Sequence, residues 1–116
     1  MRSFLYAIRG IGITLRSERN FRIMFIFFLL SIAAGFFFRI SAVEWAIVLL
    51  CCGIVLALEM VNTAIESLTD LVTEEHHPLA GKAKDIAAGA VLVFSAAAFI
   101  IGLIIFLPYV IKLISR

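Results

Sequence analysis

The chain has 116 residues, of which 64% are hydrophobic and 16% charged, against roughly 45–50% apolar and about 25% charged in an ordinary soluble domain. A mean hydropathy of +1.15 excludes a disordered tail, a secreted disulfide scaffold and an ordinary soluble enzyme, and makes a bilayer the expected solvent. The net charge of +2, from ten basic and eight acidic residues, is too small to suggest nucleic acid, so no such partner is expected.

The first segment is amphipathic. Phe4, Ile8, Ile11 and Leu15 follow one face of a helix, while Arg2, Arg9 and Arg16 recur every seven residues on the opposite side. This predicts a basic helix over 1–20 lying in the headgroup plane, as an anchor or as the roof of a site at the membrane interface. Three uncharged runs follow: 16 residues from Ile23 to Phe38, 14 from Trp45 to Leu58, and 26 from Ile86 to Ile111. A bilayer core takes about 20 helical residues, and helices satisfy their own backbone polar groups in lipid. The runs predict spanning helices at 22–40, 43–72 and 78–113, the second of which crosses only if Glu59 lies within the membrane. The expected fold is therefore an all-α membrane protein with three transmembrane helices and an N-terminal amphipathic surface helix, in one domain over 1–116.

Charge placement orients the chain. Arg2, Arg9, Arg16, Arg19, Arg22, Lys82 and Lys84 fall on one side of the expected membrane, and Arg39, Lys112 and Arg116 on the other. Positive residues concentrate on the cytoplasmic side, which predicts a cytoplasmic N-terminus and a cytoplasmic loop at 73–84. No cleavable leader is expected, because five arginines precede the first apolar run and no clean small-residue site follows it. Turn chemistry agrees with these boundaries. Ser41 and Glu44 have capping-box spacing, which gives Glu44 a structural role. His77-Pro78 suits entry into the third span, and Ala87, Ala88, Gly89 and Ala90 permit close helix approach. Cys51 and Cys52 are adjacent in an apolar run and read as free, lipid-buried thiols.

The chemistry concentrates in one stretch. Glu59, Asn62, Glu66 and Asp70 are spaced i, i+3, i+7 and i+11, a narrow arc of one helical face. This row begins inside the hydrocarbon and runs to the cytoplasmic surface. An acidic side chain at the centre of a spanning helix costs at least about 2.5–3.5 kcal/mol, so such groups need partners, a metal or water. Carboxylates hold Mg²⁺, which often arrives with nucleotide phosphates, and a carboxylate in partly apolar surroundings can accept a proton near neutral pH. Glu59, the deepest, suits a base acting on a lipid hydroxyl. Glu66, about two turns nearer the cytoplasm, suits a metal site facing a soluble nucleotide, with Glu18 as a possible second ligand at similar depth. Glu75, His76, His77, Lys82, Lys84 and Asp85 lie where a polyphosphate would. The same buried glutamate would also serve a small proton-linked transporter or hold together a structural bundle. Gly81-Lys82-Ala83 lacks the remaining P-loop residues, and Gly10-Ile11-Gly12 lacks the third glycine of a dinucleotide fingerprint.

Glu59-x-x-Asn62-Thr63-Ala64-Ile65-Glu66-x-x-x-Asp70, with His77-x-Leu79-Ala80-x-Lys82-Ala83-Lys84-Asp85 after it, resembles the small prokaryotic diacylglycerol kinase family, which includes undecaprenol kinases. The likeness extends from Phe4-x-Tyr6-Ala7 to Leu107-Pro108. It implies a homotrimer with active sites shared between subunits, in a bacterial cytoplasmic membrane, and phosphorylation of a lipid hydroxyl by ATP with Mg²⁺. It places Glu59 at the general-base position and Glu18 and Glu66 at the metal and nucleotide ligands. It further implies nucleotide contacts for Tyr6, Glu75, His76, His77, Lys84 and Asp85, with Asn62 and Asp70 supporting the site. Glu18-Arg19-Asn20-Phe21-Arg22 and His76-His77-Pro78-Leu79 look more like the undecaprenol branch. Ile23 and Ala88 stand where the diacylglycerol branch carries polar residues, and Met24 where the undecaprenol branch often carries histidine. Undecaprenol is the expected substrate, with diacylglycerol as the alternative.

Overall fold

The computed structural model describes residues 1–73 and 77–116. They form α1 (Arg2–Ser17), α2 (Arg19–Phe38), α3 (Ala42–Val72) and α4 (Pro78–Ile114), with no strand among the described residues. The last three helices are long and apolar enough to cross a membrane. The all-helical, three-span fold expected from the sequence is the fold observed.

Each junction has a local cause. Glu18 is extended, with φ −110° and ψ 111°, and is the single residue separating α1 from α2. α1 thus stops at Ser17, short of residue 20. α2 closes on Arg39 in the left-handed region, at φ 54° and ψ 54°. The Ile40 amide then reaches back to the Gly35 carbonyl at 3.1 Å, a closure that usually recruits glycine at the left-handed position. α3 starts with a complete capping box. The Glu44 amide donates to Ser41 Oγ at 3.2 Å, and the Ser41 amide donates to Glu44 Oε1 at 2.9 Å. α4 starts at Pro78, and the Leu79 amide donates to His77 Nδ1 at 3.1 Å. Proline costs nothing there because the first turn has no acceptor for its missing N–H.

α3 and α4 pack together most extensively; α2 lies on α3, and α1 touches both α2 and α3. The core sits where α3 begins and α4 ends. Ile40, Val48 and Ile105 are buried there, walled by Phe38, Trp45 and Tyr109 among others. Tyr109 Oη donates to Glu44 Oε1 at 2.5 Å, tying α4 to the cap of α3. Gly35 is buried against the Trp45 ring. Most large apolar side chains elsewhere face outward, where lipid can surround them.

Length positions the site. At about 1.5 Å per residue, the 37 residues of α4 extend roughly 55 Å, against a hydrocarbon layer of about 30 Å. Arg39, which caps α2, and Lys112, in the last turn of α4, carry charges suited to one edge of such a layer. The excess length therefore lies at the other end, where Asp70, Lys82, Lys84 and Asp85 gather.

A Cβ on Gly35 would lie 2.6 Å from Cη2 of Trp45, so the ring would have to move. Gly35→Ala is expected to destabilise the bundle by about 1–3 kcal/mol, as overpacking does. The thermal unfolding midpoint in detergent micelles, lowered relative to the parent, checks this.

Candidate active site

The acid row follows a gradient of burial. Glu59 is 6% exposed and Asn62 9%, Glu66 is half-buried, and Asp70 is exposed. The row thus begins inside the bundle and emerges at its polar end. The apolar residues between its members belong to the other faces of α3, so helical periodicity alone aligns the row.

Hydrogen bonds organise its middle. Asn62 Nδ2 donates to Glu66 Oε1 at 3.2 Å, one turn along the helix. Thr63 donates to the Glu59 carbonyl at 3.0 Å and Thr69 to the Glu66 carbonyl at 2.9 Å. These threonines satisfy their own hydroxyls and leave the carboxylates free for other partners. Glu59 Oε2 and Asn62 Oδ1 are buried and have no hydrogen-bond partner among the described residues. Buried polar atoms without partners are costly, and two neighbouring acceptors on one face mark a place where a donor or cation would be stabilised.

Glu18 is half-buried at the α1–α2 corner, and α1 touches α3 as well as α2. Among the described residues no three His, Cys, Asp or Glu side chains are grouped so that they could hold a metal ion. Mg²⁺ does not require one: it usually takes one or two carboxylates and completes its shell with water and substrate phosphates. The donors here are all hard oxygens, and the orphaned acceptors Glu59 Oε2 and Asn62 Oδ1 fit such an ion.

The remaining predicted residues are placed less uniformly. Lys84 Nζ forms an ion pair with Asp70 Oδ1 at 2.5 Å, joining the polar ends of α3 and α4. His77 is exposed and caps α4, and Asp85 is exposed one residue beyond Lys84. Tyr6 is exposed on α1, with the Arg9 guanidinium 5.8 Å from its ring centre. Glu75 and His76 lie outside the described residues. A crevice of about 380 Å³ between α3 and α4 reaches Asn62 and is otherwise lined by apolar residues such as Ile65, Ala83 and Ala87.

Sequence reasoning missed one participant. Arg22 counted as a positive charge and as part of the branch-like Glu18-Arg19-Asn20-Phe21-Arg22 stretch, with no partner assigned, yet its Nη1 donates to the carbonyls of Leu15 at 3.0 Å and Arg16 at 2.8 Å, across the corner that holds Glu18. The available signal was a helix that ends without glycine or proline.

Residues 5–106 match the family described as prokaryotic diacylglycerol kinase. The chain is 50% identical over 107 residues to the undecaprenol kinase of Bacillus subtilis (strain 168), covering 92% of this chain and 87% of that protein. It is 40% identical over 112 residues to a diacylglycerol kinase of Synechocystis sp., covering 96% of this chain and 64% of that one. To a diacylglycerol kinase of Helicobacter pylori (strain J99) it is 32% identical over 92 residues, covering 79% and 72%.

Proposed function

The chain belongs to the prokaryotic diacylglycerol kinase family, a family of lipid kinases, and on that premise we propose that it phosphorylates undecaprenol with ATP to give undecaprenyl phosphate and ADP. The observation that carries this reading is the acid row of α3, buried at Glu59 and open at Asp70. It offers one place where a membrane alcohol and a soluble triphosphate can meet. The choice of lipid rests on 50% identity to an undecaprenol kinase over most of both chains, together with the apolar Ile23 and Ala88. Diacylglycerol, giving phosphatidic acid, is the second reading, because a relative named diacylglycerol kinase is 40% identical. Membership of a kinase family speaks against the transporter and the purely structural bundle.

Each residue has a role set by its place. Glu59 Oε2, without a partner among the described residues, accepts the proton of the lipid hydroxyl as its oxygen attacks the γ-phosphorus. The bond from that phosphorus to the β-bridging oxygen breaks, and ADP leaves. Phosphoryl transfer asks mainly for positioning and charge neutralisation. Glu18 and Glu66 would hold Mg²⁺, which when bound neutralises phosphate charge. Asn62 fixes the Glu66 carboxylate through its amide nitrogen. Lys84, and with it Tyr6, Glu75, His76, His77 and Asp85, contacts the nucleotide, and Asp70 steadies Lys84 at the rim.

The active form in this reading is a homotrimer in the bacterial cytoplasmic membrane, N-terminus inside, with sites shared between subunits. The buried acceptors Glu59 Oε2 and Asn62 Oδ1, unpartnered among the described residues, support completion of the site by further copies.

Transfer of labelled phosphate by purified protein to undecaprenol and to diacylglycerol, in matched micelles, tests the activity. Undecaprenol is expected to be the faster acceptor; a faster rate with diacylglycerol selects the second reading, and no transfer to either defeats both. Glu59→Gln keeps the shape and removes the proton acceptor. Its turnover is expected to fall by about 10²–10⁴-fold, the usual worth of a general base, while nucleotide binding persists; normal turnover refutes the base role. Glu66→Gln is expected to raise the magnesium concentration needed for half-maximal rate several-fold, and an unchanged titration counts against its ligand role.

A further inference from the structure

Nothing in the local sequence requires a helix to end at Ser17. Between Gly12 and Gly35 there is neither glycine nor proline, the two residues that most readily interrupt a helix. A continuous helix would pair the Leu15 and Arg16 carbonyls with the amides of Arg19 and Asn20. The break at Glu18 gives up those bonds at the expected headgroup boundary.

Arg22 replaces them. It lies one turn into α2, and a single nitrogen of its guanidinium donates to both orphaned carbonyls, at 3.0 and 2.8 Å. Among the described residues these are the only side-chain hydrogen bonds that cross the corner. A cation also suits this place electrostatically, because helix C-termini carry partial negative charge. Thr14 and Phe21, at 5% and 2% exposure, bury the two sides of the corner, and α1 rests on α2 and α3. The residue held at the apex is Glu18, half-buried as the single residue between α1 and α2.

Building on the reading of Glu18 as a metal ligand, we propose that Arg22 is a positioning residue, which locks the α1–α2 corner and so holds the Glu18 carboxylate toward the acid row. Without this lock, α1 and α2 tend toward one continuous helix, and Glu18 turns away from Glu59 and Glu66. Both bonds leave the same Nη1, so what the guanidinium adds is a rigid plane that fixes where that nitrogen sits; lysine presents a flexible point charge.

The test uses the full chain in detergent micelles with a non-hydrolysable ATP analogue, and Mn²⁺ as the probe. Unbound Mn²⁺ is read by electron paramagnetic resonance in the parent, Arg22→Gln, Arg22→Lys, Glu18→Gln and the Arg22→Gln/Glu18→Gln pair. Arg22→Gln is expected to weaken Mn²⁺ binding by about 10-fold or more, the usual cost of losing a group that orients a ligand. Arg22→Lys should be intermediate, the double variant no weaker than Glu18→Gln, and metal-free binding of the analogue by the two single Arg22 variants unchanged. If Glu18→Gln weakens Mn²⁺ binding while Arg22→Gln, or Arg22→Lys should the former not fold, binds it like the parent, the positioning role is overturned and the metal reading stands. Additive losses in the double variant overturn it equally. If Glu18→Gln binds Mn²⁺ normally, the ligand reading fails and this proposal with it.

Discussion

A carboxylate cannot rest unpartnered against hydrocarbon without a large cost, and this chain places one on the inner face of a spanning helix. The rest of the molecule is arranged around that constraint. α3 turns Glu59 inward, where it is 6% exposed, and continues the same face outward through Asn62 and Glu66 to Asp70 at the polar end. The row joins two solvents that do not mix. A kinase acting on a membrane alcohol needs such a junction, because the acceptor is soluble in one solvent and the phosphate donor in the other.

Two glutamates of α3 show how the bundle separates stability from chemistry. Glu44 accepts from the Ser41 amide and from Tyr109 Oη, so it closes a helix end and staples α4 to α3. Glu59 keeps one oxygen without a partner among the described residues. The end of the bundle around Glu44 is packed by Ile40, Val48 and Ile105, with Gly35 giving way to the Trp45 ring. The opposite end is held across α3 and α4 by the exposed Asp70–Lys84 pair. Exposed pairs contribute only about 0–1 kcal/mol, so incoming phosphates could take over Lys84 at little cost. A fixed end and an open end in one helical hairpin allow precise placement of the carboxylates while leaving access for a large soluble substrate.

Much of this was legible in the sequence because the signals are local. Uncharged runs gave the three spanning-length helices, since lipid tolerates few other ways of satisfying the backbone. The spacing of Ser41 and Glu44 gave the capping box, His77-Pro78 the start of α4, and the periodicity of Glu59, Asn62, Glu66 and Asp70 their common face. What was not legible depends on distant parts of the chain. Tyr109 is 65 residues from Glu44, and Lys84 is 14 from Asp70, so neither pairing has a sequence period. The left-handed Arg39 closes a helix where glycine would be the usual signal. The corner between the expected surface helix and first span falls at Glu18, where Arg22 bonds the Leu15 and Arg16 carbonyls, with no breaker residue to fix its position. Tyr6, assigned to the nucleotide by resemblance, is exposed beside Arg9 in the single chain, and no periodicity on α1 links it to the row on α3.

The central claim is that Glu59 faces the meeting point of alcohol and triphosphate. An experimental structure in a lipid phase, with a non-hydrolysable ATP analogue and Mg²⁺ bound, tests it most directly. The account predicts the metal on Glu18 and Glu66, and the terminal phosphorus close enough to the Glu59 carboxylate for a lipid oxygen to lie between them, roughly 3–3.5 Å from the phosphorus as a reactive arrangement requires. A terminal phosphate bound away from the row, with Glu59 turned toward acyl chains or sealed between dry helices, would contradict it.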